Sequence, residues 1–239
     1  MKISIKQTGP TCGIYAMLNG LYNLNKIEAV SKKQTDEVVC NLLSKNVIKK
    51  REKAINSKTY LGEFFDLNSY KNFIDNNWEI FNQVTGCEDV KYDVSIKNTE
   101  HLNSKELIAK LQHNKCFVLF SICTYKRLTK NHIISHWVSI IGYDNNTCKY
   151  IVVDSLKGKI KKYSLERLYR ENNRLQDAQF QWKKFKIGKL CYWDHPWGLH
   201  PVKKHIKEQY GNKRVYLKDG VIKHKIPHTS GEMIIIEKL

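Results

Sequence analysis

HWVSIIGYDNNTCKYIVVDS (136–155) decides how the rest of this chain reads. Two apolar runs of strand length flank a polar turn at Asp144 to Thr147, which predicts an antiparallel hairpin. His136 opens the first run and Asp154 closes the second. Residues equidistant from a hairpin turn face each other. With the strands meeting around residues 145 and 146, His136 is expected opposite Asp154 or Ser155. Directly opposed Cβ atoms lie only ~4.5–5.5 Å apart. A carboxylate there can hold one imidazole nitrogen, fix the tautomer and leave the other nitrogen for a thiol. An aspartate ending a strand is otherwise an ordinary turn former, and a histidine at a strand start an ordinary hydrogen-bonded residue. Aspartate is disfavoured within strands and needs a reason.

Working outward, KCFVLFSICTY (115–125) is a continuous apolar run of strand length, and SLERLYREN (164–172) reads as a helix. The tail holds RVYLKDGVIKHKI, a hairpin signalled by Asp219-Gly220, and a final strand MIIIEKL. The N-terminal half has helical periodicity instead. Residues 12–24 place Ile14, Met17, Leu18, Leu21 and Tyr22 on one face. Similar patterns run over 35–50 and 66–83, and Asn103 with Glu106 resembles a capping box opening a helix to about residue 113. Helices first and an antiparallel sheet afterwards make an α+β layout. The expected organisation is a single domain, 1–239. It has a helical lobe at 1–113 and a β-rich lobe at 114–239 that ends in a basic extension.

A nucleophile is supplied by QTGPTCGIYAMLNGL (7–21). If a helix begins near Cys12, unpaired backbone N–H groups and the positive end of the helix dipole favour a thiolate. A thiolate is what acyl-transfer chemistry needs. Gln7 carries an amide donor that never ionises. Beside the Cys12 backbone N–H it could hold the oxyanion of a tetrahedral intermediate.

These segments together resemble the papain-like cysteine peptidases, and most closely their C39-like branch, the bacteriocin-leader peptidases and relatives. A glutamine shortly precedes a Cys-Gly helix start, a later strand has the form His-Trp-Val-x-x-Ile-Gly-Tyr-Asp, and the next strand ends in aspartate. The resemblance implies a papain-like fold with Cys12 as nucleophile and His136 as general base and acid. It implies Asp154 as the group orienting the imidazole, Gln7 in the oxyanion hole, and Gly13, Trp137 and Ser155 against the substrate. It further implies cleavage of a peptide or amide bond in a peptide or protein substrate, with no cofactor and no metal. Phytochelatin synthase, a second papain-like relative, orders Cys, His and Asp alike and transfers its acyl group. A transferase or deamidase of the same fold therefore stands beside hydrolysis. The separation of 124 residues from Cys12 to His136 points to an insertion or divergent lobe at 26–110, and Ser155 stands where the family often has proline.

The remaining composition sets bounds. No stretch approaches the ~18 consecutive apolar residues of a membrane span, and no apolar signal region opens the chain. Seven cysteines without Cys-x-x-Cys pairs read as reduced thiols, which makes the cytoplasm the expected location. The formal charge of +18 is spread over lysines nearly everywhere, with denser patches at 45–53 and 203–214. A basic nucleic-acid-binding protein with a vestigial site is the competing class, although no recognised nucleic-acid motif accompanies the charge. Cys191, His195, His200 and His205 could bind zinc, but their spacing fits no standard pattern, and Trp193 and Trp197 suit a packed aromatic loop or groove wall.

Overall fold

The run CFVLFSIC forms β2 (Cys116–Cys123), a strand buried at every position. A strand covered on both faces reads as continuous apolar sequence rather than as alternation. This is a computed structural model, and it describes residues 2–8, 11–46, 64, 67–87, 89–124, 135–176, 179–180, 224–225 and 229–239. The fold is α+β. Six antiparallel strands form one sheet in the order β1-β8-β2-β3-β4-β5. They are β1 (Tyr92–Asn98), β2, β3 (Ser135–Asp144), β4 (Lys149–Asp154), β5 (Lys159–Tyr163) and β8 (Glu232–Lys238). Two-residue strands β6 (Gln179–Phe180) and β7 (His224–Lys225) pair separately.

Side chains alternate across a strand, so the central strands feed two cores. Phe117, Leu119, Trp137, Ile141, Val153, Ile234 and Ile236 belong to the core built with α1 (Cys12–Leu24), α2 (Lys32–Asn46), α3 (Leu67–Asp75) and α4 (Trp78–Thr85). Val118, Phe120, Ile122, Val138, Ile140 and Val152 belong to the other. There they pack with Leu107 and Leu111 of α5 (Lys105–Gln112) and Leu168 of α6 (Leu165–Asn173). Helices therefore cover the sheet on both sides.

The α1 helix departs from the amphipathic reading. All of its thirteen residues are buried, including Asn19, Gly20 and Asn23. Gly20 is required by close approach: a Cβ there would lie 2.1 Å from the Phe117 ring. Asn19 and Asn23, one turn apart, bracket the N-terminal segment. The Ile5 N–H donates to Asn19 Oδ1 at 2.7 Å, and Asn19 Nδ2 returns a bond to the Ile5 carbonyl at 3.1 Å. Asn23 makes the same pair with Ile3, at 2.9 and 2.8 Å.

Other elements differ locally from expectation. The helix expected over 66–83 is two helices broken at Asn76–Asn77. Asn77 turns its side-chain amide back to the Phe73 carbonyl at 2.7 Å, the local competition that disfavours asparagine within helices. The helix expected over 35–50 begins at Lys32 and runs to Asn46. Ser104, not Asn103, caps α5, its hydroxyl accepting from the Leu107 N–H at 3.2 Å. β1 falls inside the stretch read as helical and pairs with β8. The Asp219-Gly220 hairpin, the 191–205 cluster, the 203–214 patch and most of the 45–53 patch lie outside the described residues.

Candidate active site

β3 and β4 form the expected hairpin, in a different register. The turn holds four residues, 145–148, and Ile141 is an extra residue on β3 at a bulge. The ladder ends at Ser139↔Val153. Continued by one residue, that register sets Asp154 across from Val138, so the predicted direct opposition to His136 is corrected to a diagonal one. Val138 and His136 share a face, and diagonal neighbours remain within reach of long side chains. His136 Nε2 lies 3.1 Å from Asp154 Oδ1.

Cys12 is the first residue of α1. The Thr11 side chain does not cap this helix; its hydroxyl donates to the Thr8 carbonyl at 2.6 Å. No acidic residue occupies the first turn, so a thiolate at Cys12 would be the anion at the positive end of the dipole. Trp137 donates its backbone N–H to Cys12 Sγ at 3.5 Å, at the edge of β3 beyond the end of the β4 ladder. One peptide unit separates that nitrogen from the His136 Cα. The sulfur therefore lies within about 6 Å of the His136 Cα, by standard backbone dimensions. With Nε2 directed to Asp154, Nδ1 is the ring nitrogen closer to the His136 backbone.

Asp154 has a second partner. Lys161 Nζ on β5 lies 2.6 Å from Asp154 Oδ2. Burial on its own would raise the Asp154 carboxyl. The hydrogen bonds and positive charges of His136 and Lys161 outweigh it and hold the group well below the usual carboxylate range.

Gln7 is fixed at two points to the end of β4. Its backbone N–H donates to the Ser155 carbonyl at 2.8 Å, and its Oε1 accepts from the Ser155 hydroxyl at 2.8 Å. Thr8, the next residue, is held as well: Lys32 Nζ bonds Thr8 Oγ1 at 2.7 Å and both Asp36 oxygens at 2.7 and 3.0 Å.

Of the residues expected against substrate, Ser155 is bonded to Gln7. The Gly13 carbonyl accepts from the Tyr70 hydroxyl at 2.6 Å. The Trp137 indole is fully buried. It donates to the Phe64 carbonyl at 3.0 Å and packs edge-on against Tyr70. What Trp137 offers the site is its backbone N–H. Burial, with the Cys12 thiol as a secondary cause, pushes the Tyr70 phenol well above its ordinary value, so it stays a neutral donor.

The constellation is occluded: Cys12 is 2% exposed, His136 3% and Asp154 5%. An open depression of about 670 Å³ beside Lys2, Ser4 and Glu28 is lined by none of them. Among the described residues no cluster of three or more His, Cys, Asp or Glu could hold a metal, and no helix is long and apolar enough to cross a membrane.

Lys161, Ser155 in its role toward Gln7, and the Asn19–Asn23 bracket were not found by sequence reasoning. For Lys161 a signal existed, because strand alternation in KIKKY puts positions 159 and 161 on one face. No family model matches the chain, and no curated protein matches it.

Proposed function

We propose that this protein is a papain-like thiol hydrolase that cleaves a peptide or amide bond through an acyl-enzyme on Cys12. One observation carries the reading. The Cys12 sulfur sits at the backbone N–H of the residue after His136, and His136 is held by a buried, ionised Asp154. These contacts support a nucleophile, base and orienting acid in the order that nucleophilic catalysis requires.

The steps follow from the residue chemistry. The Cys12 proton passes to His136 Nδ1, and the thiolate attacks the substrate carbonyl, forming a carbon–sulfur bond. The carbonyl electron pair moves to oxygen, which accepts from the Gln7 amide and the Cys12 backbone N–H. His136 returns its proton to the departing amine as the carbon–nitrogen bond breaks, leaving a thioester. Water, deprotonated by the neutral imidazole, attacks the thioester. The acid departs, and Cys12 and His136 return to their starting states. Asp154 stays anionic throughout, stabilising the imidazolium without taking its proton. The bonds that Gln7 makes to Ser155, and those that Thr8 makes to Lys32, keep the donor end of the oxyanion hole in place before substrate arrives.

A peptide library incubated with the protein and read by mass spectrometry tests this. The expected result is a defined set of cleaved peptides and a mass adduct on Cys12, both absent from Cys12→Ala and from His136→Ala. An adduct with amine-exchanged rather than hydrolysed products would assign the acyl group to transfer. No adduct and no product with any peptide would count against the reading.

A further inference from the structure

The sheet gives Asp154 two cationic neighbours of different kinds. On one side His136 Nε2 meets Oδ1 at 3.1 Å, and on the other Lys161 Nζ meets Oδ2 at 2.6 Å. The second contact is built in by the ladder. Asp154 pairs with Lys159 and Val152 with Lys161, so Lys161 is the diagonal neighbour of Asp154 on the same face. The Lys161 side chain is 28% exposed and that of Asp154 7%, so the contact is partly withdrawn from water. Both carboxylate oxygens are thereby occupied, one by the imidazole and one by a permanent cation.

A carboxylate that faces only a histidine stabilises the imidazolium with its full charge. A carboxylate already neutralised by an ammonium does so much less. We propose that Lys161 is a positioning residue that sets how readily the His136–Asp154 pair holds a proton, by offsetting the Asp154 charge and locking the carboxylate plane. The inference rests on the reading of Cys12, His136 and Asp154 as a thiolate site. In that reading Lys161 draws off part of the Asp154 charge, so that the carboxylate orients the imidazole without gripping its proton as an unpaired carboxylate would.

The other groups around the pair, among the described residues, do not provide this charge. Lys159, directly opposite Asp154, is exposed and makes no ion pair with it. Tyr163, on β5 beside Lys161, favours the cationic form of that ammonium, as Asp154 does more strongly, and Arg167 of α6 stacks on the Tyr163 ring at 4.0 Å. From β2, Cys123 lies beside the Ile122↔His136 pair. From α1 Cys12 approaches, and from the N-terminal segment the uncharged Gln7 and the charged Lys6, whose backbone lies against Gly158 in the turn between β4 and β5.

The test is a titration of the His136 imidazole by nuclear magnetic resonance with nitrogen-labelled histidine. The chain has nine histidines, so His136→Ala supplies the assignment. A unit charge at ~7 Å in an effective dielectric of ~20–40 moves a titration midpoint by on the order of one pH unit. Lys161→Met is therefore expected to move the His136 midpoint upward by about one unit. Lys161→Arg, which keeps the charge, and Lys159→Met, which removes an unengaged one, are expected to leave it within a few tenths of the wild type. If Lys161→Met does not fold, Lys161→Gln serves as the neutral variant, with the same expected shift. An unmoved midpoint in a folded neutral variant overturns the inference, as does an equal shift in Lys159→Met. Cys12→Ala separates this from the proposed function. Loss of the thiolate should lower the His136 midpoint, and a midpoint indifferent to Cys12 would sink the thiolate reading itself.

Discussion

Replacing Asn19 with leucine should loosen the N-terminal segment and disable catalysis without disturbing the thiol. Asn19 makes two bonds to the Ile5 backbone, at 2.7 and 3.1 Å, from within a wholly buried helix. Leucine has the same branched outline of four side-chain heavy atoms, though bulkier, and better helix propensity, worth about 0.5 kcal/mol in its favour. Against that, two hydrogen bonds of about 0.5–1.5 kcal/mol each are lost, and a part-buried N–H and carbonyl lose their partners. The net cost is about 2–3 kcal/mol, unless Ile3 and Ile5 peel away from α1 and the loss is smaller. Either way the segment ahead of Gln7 loses its anchor on α1, and Gln7 is left with its two bonds to Ser155 as its mooring. Loss of one oxyanion donor reduces turnover by about 100- to 1,000-fold. Urea unfolding measures the first effect. Turnover of a peptide identified from the library measures the second, and alkylation of Cys12 serves as the control. The account expects reduced stability, turnover reduced by that factor, and an alkylation rate close to wild type. Unchanged turnover alongside reduced stability would refute the link from Asn19 through the N-terminal segment to Gln7.

Gly20→Ala should destabilise the fold by about 1–3 kcal/mol, because its Cβ would meet the buried Phe117 ring at 2.1 Å; thermal unfolding checks this, and a stabilised variant would mean that α1 does not pack on β2 as described. Burial first, then Asp36 and Glu37, push the Cys40 thiol up to about 12, and burial with Glu237, partly offset by Lys110, pushes Cys116 up to about 12. Both should therefore resist iodoacetamide in the native protein at about pH 8 and react once urea unfolds it, as read by peptide mass mapping. Because the Asp154 carboxyl is depressed on folding, its contribution to stability is present above about pH 4 and is lost as pH falls further. Asp154→Asn should thus reduce stability at neutral pH and narrow the gap to wild type in acid, which denaturant titrations across that range would show.

The parts of this fold carried by local chemistry were legible in the sequence. β2 announces itself because a strand buried on both faces must be continuously apolar, and α6 does so through Ser164, whose hydroxyl caps it. The pairing of His136 with Asp154 was legible for a related reason: polar groups ending apolar strands of one hairpin must share a neighbourhood. The register was not. A four-residue turn and one bulged residue at Ile141 convert a direct pair into a diagonal one, and neither leaves a mark in the composition. β1 was missed because its partner β8 lies far along the chain, and its alternation shows only in Val94 and Ile96. Asn19 and Asn23 fall outside the apolar face read over 12–24, yet their side is covered by the N-terminal segment whose backbone they bind. Lys161 was hidden among the many lysines, since only the β4–β5 ladder singles it out.

The most direct test is the ultraviolet absorbance of the Cys12 thiolate, taken as the difference between wild type and Cys12→Ala across pH. A thiolate already formed at about pH 6, and lost when His136 is replaced by alanine, is the predicted result. A thiol that ionises only near its ordinary value of ~8.5, and identically in His136→Ala, would contradict the claim that Cys12 and His136 act as one unit.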